Sequence, residues 1–481
     1  MGIIILAAVI AAAGILAGLD LGRKINLLHP LPLTACMLVS PNAVLLGWWF
    51  YRVNPASLPR PLAAAFLAVS GLFVFYLWVR LNVFPRREKR GAVKPRLAVR
   101  VMMGGRFLCY AGLWAIALEI PFLAVSYFVL RGVIPNAVFI VNAVCGMLTV
   151  FFILWNGLLR IFFTSKRLGV FWRLLLFFTW WLPPVNLVVI IGACRLVYEE
   201  YDFALYKENL NSVRADSQIC KTKYPLVMVH GILFRDLKYF NYWGRIPREL
   251  LRNGAKIYYG NQEAVGTIAA NAEDIRKTIL SVLDETGAEK VNIIAHSKGG
   301  LDARYAISVL GMAEKIASLT TISTPHRGCR FVDRASSLPE WFYRFVAGIF
   351  DSVFRKLGDK NPDFYNATRQ FATAASEAFN LMTGDSPLVY YQSYMTMMKG
   401  PGSDPMLAPT WLLIKLLEGD NDGLVSLPSA EWGNFRGVLV SGTGRGISHG
   451  DIIDLKRADY RGFDVTETYV KIVAELKEKG F

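Results

Sequence analysis

Residues 291–305 read VNIIAHSKGGLDARY, and this stretch decides the fold of the C-terminal half of the chain. A short run of strand-forming apolar residues ends abruptly in small residues, and a helix-compatible run begins directly after them. The pattern predicts a strand–turn–helix with Ser297 at its apex, in a small-x-Ser-x-Gly frame that leaves room for a sharp turn. Such a turn exposes the serine hydroxyl and sets the backbone N–H of Lys298 at a helix N-terminus, where it can donate to the negative oxygen of a tetrahedral intermediate.

The frame alone is a weak signal, because short patterns recur by chance. The surrounding chain strengthens it: from Tyr224 onwards strands and helices alternate, which predicts a mostly parallel sheet with helices on both faces over residues 223–481. Between about residues 331 and 391 the strands stop and aromatic helical stretches follow, which predicts a helical cap above the carboxyl ends of the strands. Strands are predicted at 226–230, 255–259, 291–295, 319–322, 389–394 and 437–441, and helices at 245–252, 268–283, 341–354, 364–382 and 466–477.

Residues 1–198 differ from the rest of the chain in composition. The 481-residue chain is 54% hydrophobic, and most of this excess lies in six apolar runs before a polar linker at 199–222. We therefore predict a membrane domain of about six transmembrane helices in an integral protein of a bacterial cell membrane. Glu119 in the fourth run is interpreted as a hydrogen-bonded structural residue, since no second charge within the membrane offers it a partner. The runs are 2–18, 31–51, 62–79, 107–130, 133–159 and 174–197.

The net charge of +16 belongs mainly to the membrane part. Residues 1–200 hold 19 Lys and Arg against 5 Asp and Glu, which leaves 34 against 32 for the rest. We therefore predict contacts with anionic lipid and no nucleic-acid partner. The basic connections at 80–106 and 160–173 should be cytoplasmic, so six crossings would place the C-terminal domain outside the cytoplasm. Pro183-Pro184 would reverse this answer if it turned the last run into a re-entrant hairpin.

Ser297 needs a base to become a nucleophile. His449 lies in a loop after the last predicted strand, where a base for an elbow serine would be carried, and Asp422 precedes it on a turn sequence. A neutral imidazole takes the serine proton and needs an acid to fix its tautomer, which gives the chain order Ser, Asp, His. Asp420 is a local rival for the acid role.

A second oxyanion donor is expected from the loop after the first strand. In the sequence Val229-His230-Gly231-Ile232, Gly231 permits a tight turn and the backbone N–H of Ile232 can face the site. His230 is interpreted as a residue that holds this loop by hydrogen bonds.

These motifs together resemble the bacterial true lipases of the α/β-hydrolase fold, of the Pseudomonas and Burkholderia type and, less closely, the small Bacillus lipases. The resemblance covers residues 222–455. It implies Ser297 as nucleophile, Asp422 and His449 as its partners, and the Ile232 and Lys298 amides as the oxyanion hole. Those lipases are secreted and soluble, so the resemblance does not explain residues 1–200. The matching stretches are His230-Gly231-Ile232, Tyr242-Trp243, Ile246-Pro247, Ala295-His296-Ser297-Lys298-Gly299-Gly300, Ser323-Thr324-Pro325-His326-Arg327-Gly328, Asn421-Asp422-Gly423-Leu424-Val425 and His449-Gly450-Asp451.

The same resemblance implies a structural calcium ion near the histidine loop, for which Asp404 and Asp451 match the family's carboxylates. Leu455 stands where the family has a glutamine ligand, which is a departure from the pattern. No other cofactor is expected. Cys220 and Cys329 lie outside the apolar runs, so a disulfide between them is an open alternative.

The sequence thus predicts a membrane-anchored serine hydrolase that cleaves carboxylic esters of lipids or other acyl esters through an acyl-Ser297 intermediate. An acyltransferase would use the same residues and differ only in the acceptor of the acyl group. From a different class, a hydrolase fold can serve as a non-catalytic binding or scaffold domain in a membrane complex.

Overall fold

The computed structural model describes residues 39–53, 59–85, 95–233, 241–336 and 339–481. The chain divides into two compact units, Met1–Ser212 and Val213–Phe481. The predicted run at 2–18 lies outside the described residues, as does the first part of the run at 31–51.

The first unit is helical throughout its described part. Three of its described helices are apolar and long enough to cross a membrane, and they overlap the runs predicted at 62–79, 107–130 and 133–159. Large apolar side chains such as Phe73, Ile140 and Phe152 face outward, as a lipid-facing surface requires. The described helices of this unit are α1 (Ala43–Val53), α2 (Arg60–Val83), α3 (Leu97–Leu130), α4 (Asn136–Thr164), α5 (Gly169–Thr179) and α6 (Pro183–Arg214).

Small residues and amides hold α3 and α4 together. A Cβ added to Gly157 would lie 2.7 Å from the backbone nitrogen of Cys109, so only glycine allows this approach between the two helices. Glu119 is buried and accepts a hydrogen bond of 2.7 Å from the Asn42 side chain, which in turn accepts one from Asn142 at 2.9 Å. The interpretation of Glu119 as a hydrogen-bonded structural residue is confirmed.

The run predicted at 174–197 does not form one helix. The chain turns after α5 at residues 180–182, and a Cβ on Gly192 of α6 would lie 2.5 Å from the Trp172 ring of α5. In one straight helix these two residues would be about 30 Å apart, so α5 and α6 form an antiparallel hairpin. The run therefore forms two helices where one was predicted, because the helix restarts at Pro183, a first helical position at which the missing N–H costs no hydrogen bond.

The hairpin returns the chain to the level of the basic turn that follows α4. The Glu200 carboxylate accepts hydrogen bonds from the Ser165 hydroxyl at 2.7 Å and from the backbone N–H of Lys166 at 3.0 Å. Arg106 donates to the carbonyl of Cys194 at 3.1 Å. Glu200, near the middle of α6, therefore lies beside residues 165–167.

The second unit is built on a six-stranded parallel sheet with strand order β2-β1-β3-β4-β5-β6. Four central strands are buried, and apolar clusters cover both faces of the sheet, so the predicted alternation is confirmed. The strands are β1 (Leu226–Val229), β2 (Ile257–Tyr259), β3 (Val291–His296), β4 (Ile316–Ile322), β5 (Tyr390–Thr396) and β6 (Asn434–Leu439).

Helices on the two faces and at the edges complete this unit. They are α7 (Ile246–Arg252), α8 (Ile268–Thr286), α9 (Lys298–Ser308), α10 (Arg330–Ser336), α11 (Glu340–Lys356), α12 (Phe364–Arg369), α13 (Thr373–Met382), α14 (Ala408–Leu417), α15 (Leu427–Ala430) and α16 (Val465–Glu478). The helix predicted at 364–382 is two helices, because the Asp333 carboxylate accepts from the amide of Thr373 at 2.9 Å and caps the second one. Cys220 and Cys329 are both free thiols, which rules out the disulfide.

Candidate active site

Ser297 occupies the single residue between β3 and α9. Its φ of +54° and ψ of −131° are rare for a residue with a side chain, and such strain is typical of a nucleophile held on a sharp turn. The glycines that follow allow this turn to pack: a Cβ on Gly299 would lie 2.4 Å from the carbonyl oxygen of His230, and one on Gly300 would lie 2.3 Å from the Thr324 hydroxyl. The strand–turn–helix predicted from residues 291–305 is present.

His449 and Asp422 meet through a direct hydrogen bond. The Nδ1 atom of His449 lies 2.8 Å from the Asp422 carboxylate, and the His449 amide donates to the Asp422 carbonyl at 2.9 Å. The Asp422 side chain is fully buried, and its other oxygen accepts from the amides of Leu424 at 3.1 Å and Val425 at 2.9 Å. This geometry leaves Nε2 of His449 as the ring nitrogen that faces away from the acid.

Asp420, the rival acid, lies on the surface. Its carboxylate forms an ion pair of 2.6 Å with Lys415, and both side chains are about half exposed. The two aspartates leave the same turn in opposite directions, so the structure brings only Asp422 to His449.

The two expected oxyanion donors belong to residues that adjoin the Ser297 turn: Lys298 follows Ser297 in the chain, and Ile232 follows Gly231. Gly231 packs against the serine, because a Cβ there would lie 2.8 Å from Ser297 Cβ. In the described part of the chain, neither the Ile232 amide nor the Lys298 amide donates a hydrogen bond to another protein group. No hydrogen bond links the Ser297 hydroxyl to His449 among the described residues, and such contacts often tighten only with substrate.

Comparison with known proteins places this arrangement in a family. Residues 224–397 match the model of the alpha/beta hydrolase fold. Triacylglycerol lipase 2 of Saccharomyces cerevisiae is 30% identical over 270 residues, which cover 51% of this chain and 78% of the yeast protein. The chain belongs to the triacylglycerol lipase family of α/β-hydrolases.

Further relatives of this lipase-family chain are bacterial. A triacylglycerol lipase of Burkholderia plantarii is 34% identical over 183 residues, which cover 35% of this chain and half of the relative. The solved mature lipase BlEst2 of Bacillus licheniformis aligns with a TM-score of 0.40 and 19% identity, over 52% of this chain and 92% of that one. The family assignment makes the chain a carboxylic ester hydrolase and rests on the sequence relatives.

A second histidine lies beside His449 in this lipase-family site. The His296 and His449 rings have centroids 4.4 Å apart, and His296 Nδ1 is 2.7 Å from the Tyr242 hydroxyl. Burial, followed by the proximity of His449, lowers the pKa of His296 well below its usual range, so this ring stays neutral. This contact joins residues 153 positions apart, so no local pattern in the sequence predicts it.

The other two histidines of the described site region are structural. His230 Nδ1 lies 2.7 Å from the Gly231 carbonyl and Nε2 lies 3.1 Å from the Gln262 carbonyl, which confirms the predicted loop-holding role. His326 is buried against the Trp432 ring and 3.0 Å from the Thr321 hydroxyl.

Lys298, the residue after Ser297 in the chain, carries a buried charge. Its ammonium lies 2.5 Å from the Asp302 carboxylate, with 1% of each side chain exposed. Burial outweighs pairing in both groups: it lowers the pKa of Lys298 and raises that of Asp302 to about 6. The Asn271 side chain donates to Asp302 at 3.2 Å and completes the group.

The two carboxylates proposed for calcium are both paired with cations. Lys456 Nζ lies 2.7 Å from the Asp404 carboxylate and 3.8 Å from that of Asp451, and Arg445 lies 2.8 Å from Asp451. Among the described residues no group of three His, Cys, Asp or Glu side chains could hold a metal. Two positive side chains already balance the two carboxylates, so this donor set does not fit calcium.

The predicted cap includes an amphipathic helix with an exposed apolar stripe. Residues at four-residue spacing along α11 face outward, while Ala347 and Phe354 on the other side are buried. A contiguous exposed stripe of this kind indicates contact with an apolar surface or substrate. Its members are Trp341, Phe345, Ile349, Val353 and, just past the helix, Leu357.

Proposed function

We propose that this lipase-family protein is a membrane-anchored serine hydrolase that cleaves the carboxylic esters of lipids through an acyl-Ser297 intermediate. The hydrogen bond between His449 and Asp422 is the observation that carries the proposal, together with the strained turn at Ser297. The yeast and Burkholderia relatives are triacylglycerol lipases, which supports a lipid ester as the substrate.

Each step follows from a group of this site. His449 Nε2 accepts the Ser297 proton as the serine oxygen attacks the ester carbonyl, while Asp422 stabilises the imidazolium. The Ile232 and Lys298 amides donate to the oxyanion. The imidazolium then returns the proton to the alcohol that leaves, and a water activated by the same ring releases the acid and restores Ser297.

The lipid substrate is supported by the apolar surface of the second unit. The stripe on α11 presents aromatic and aliphatic side chains, and Arg355 and Lys356 lie at its end. An apolar helix face flanked by basic residues is suited to a bilayer surface with anionic headgroups. Three helices that could cross a membrane keep the chain beside such a surface.

Labelling with a fluorophosphonate tests the nucleophile. The native full chain in detergent micelles should be labelled, and Ser297→Ala should lose the label. Ser323→Ala is the matched control, because Ser323 also has a positive φ, of 50°, at the end of β4, but contacts Thr396 rather than a histidine. An unlabelled native chain would favour a scaffold, and an acyl-enzyme released faster by an added alcohol than by water would favour an acyltransferase.

We also propose that the hydrolase unit faces the cytoplasm. The chain returns through the α5–α6 hairpin to the basic turn at 165–167, which the excess of Lys and Arg assigns to the cytoplasmic side. A cysteine at Lys207, in a chain without native cysteines, should react with an impermeant maleimide only after the cells are opened. A cysteine at Val133, in the turn between α3 and α4, should react in intact cells, and the opposite pattern would restore the extracytoplasmic assignment.

A further inference from the structure

The loop that carries His449 is tied to a second loop by a buried polar network. The Ser448 hydroxyl donates to the Asp404 carboxylate at 2.8 Å, and the Ser448 amide donates to Asp451 at 3.1 Å. The Asp451 amide donates back to the Ser448 hydroxyl at 3.2 Å. Ser448 directly precedes His449, so the placement of the histidine backbone depends on Asp404 and Asp451.

Two fully or nearly fully buried carboxylates need positive charge nearby. The exposed fraction is 3% for Asp404 and 0% for Asp451, and two ionised groups this close would repel each other without a counter-charge. Lys456 lies between the two carboxylates. Asp451 also pairs with Arg445 and accepts a hydrogen bond of 2.7 Å from the Tyr460 hydroxyl. The Lys456 stem reaches in from solvent, since 38% of its side chain is exposed, so its ammonium is only partly desolvated.

We propose that the Lys456 ammonium takes the place of a divalent metal ion in this protein and is a positioning residue for His449. It bridges Asp404 and Asp451, and these hold Ser448 and thereby the histidine backbone. Because the bridging charge belongs to the chain itself, the site stays assembled without any metal. The positioning role of Lys456 rests on the proposed function of His449. The charge balance between Lys456, Asp404 and Asp451 does not depend on that function.

Lys456→Ala, Lys456→Arg and the native chain, all full length in detergent micelles, test the inference. Lys415→Ala is the matched control, because Lys415 forms an equally short ion pair, of 2.6 Å with Asp420, that does not touch the histidine loop. Each protein is measured with 5 mM EDTA and with about 5 mM calcium chloride, for thermal unfolding and for hydrolysis of a p-nitrophenyl ester.

The native chain should keep the same Tm and the same kcat in EDTA and in calcium. Lys456→Ala should lose about tenfold in kcat with little change in KM, because His449 is misplaced while the acyl-binding surface is intact. Its Tm should fall by about 4 °C and recover in calcium, since two carboxylates without a partner form a cation site. Lys456→Arg should keep most of kcat, and Lys415→Ala should resemble the native chain.

Two results would overturn the inference. A native Tm that falls in EDTA and rises in calcium would mean that a metal displaces Lys456. A Lys456→Ala chain with reduced Tm and native kcat would mean a stabilising role without positioning. An inactive native chain would mean that the proposed function fails. The effect of calcium on the Tm of Lys456→Ala, compared with its effect on the Tm of the native chain, would still decide which cation the cluster uses.

Discussion

The two sides of the candidate site are built by different means. On the nucleophile side, backbone shape places Ser297: a positive φ, glycines in contact with neighbouring backbone, and a Lys298–Asp302 pair closed off from water. On the histidine side, hydrogen bonds and partly solvated charges place His449. The first side should therefore be most sensitive to added volume and unpaired buried charge, and the second to loss of a specific polar partner.

The largest effect is expected on the histidine side. Asp422→Asn should lower kcat by about 10⁴-fold, because the amide cannot hold the histidine tautomer or stabilise its charge. Asp420→Asn changes the same chemistry two residues away, at the exposed pair with Lys415, and should leave kcat within a factor of about two. Steady-state ester hydrolysis measures both, and equal losses would contradict the assignment of Asp422.

The buried pair behind Ser297 gives the next effect, on stability. Lys298→Met should lower the free energy of unfolding by about 3–5 kcal/mol, because it leaves Asp302 buried without its cation. The double variant Lys298→Met with Asp302→Leu should recover most of this loss, since apolar replacement removes both buried charges. Denaturant unfolding of the full chain in detergent compares them. A double variant less stable than the single one would show that the pair is net stabilising.

Added volume distinguishes the two sides. Gly231→Ala should lower kcat by about 10²-fold, because its Cβ would lie 2.8 Å from Ser297 Cβ and 2.7 Å from the Tyr242 hydroxyl. Gly450→Ala, next to His449, would place its Cβ at an ordinary 3.4 Å from the Leu455 side chain and should have little effect. The rate of fluorophosphonate labelling reports both changes. Similar labelling rates for Gly231→Ala and Gly450→Ala would contradict the expected difference between the two sides of the site.

The smallest effect is a pH dependence of the nucleophile side. Burial raises the pKa of Asp302 to about 6, above its unfolded value, so the folded state binds the proton more tightly. The contribution of this group to stability therefore increases as pH falls through 6 and decreases as pH rises. Between pH 7 and pH 5 the free energy of unfolding of the native chain should increase by about 1 kcal/mol relative to that of Asp302→Asn. If the difference in free energy of unfolding between the native chain and Asp302→Asn stays constant with pH, this titration is excluded.

The alternation of strands and helices and the elbow could be predicted because their signals are local. An apolar run ending at Ala295, small residues around Ser297 and a helix-compatible run specify one backbone path. The break in the helix at 364–382 was missed, because its cause is a side chain from α10, Asp333, that caps the second half. The run at 174–197 was predicted as one helix and forms parts of two for a related reason: hydropathy measures apolar length, and the apolar ends of two helices joined by a turn have the same apolar length as one span.

The parallel sheet, the position of the elbow and the chain order of Ser297, Asp422 and His449 are readable from local patterns, because periodicity and turn chemistry act between near neighbours. The meeting of His449 with Asp422 rather than Asp420, the packing of His296 beside it, and the position of Lys456 between Asp404 and Asp451 depend on tertiary packing. These contacts join residues far apart in the chain. Their distances follow from how the loops pack at the carboxyl ends of the strands, and no local pattern carries that information.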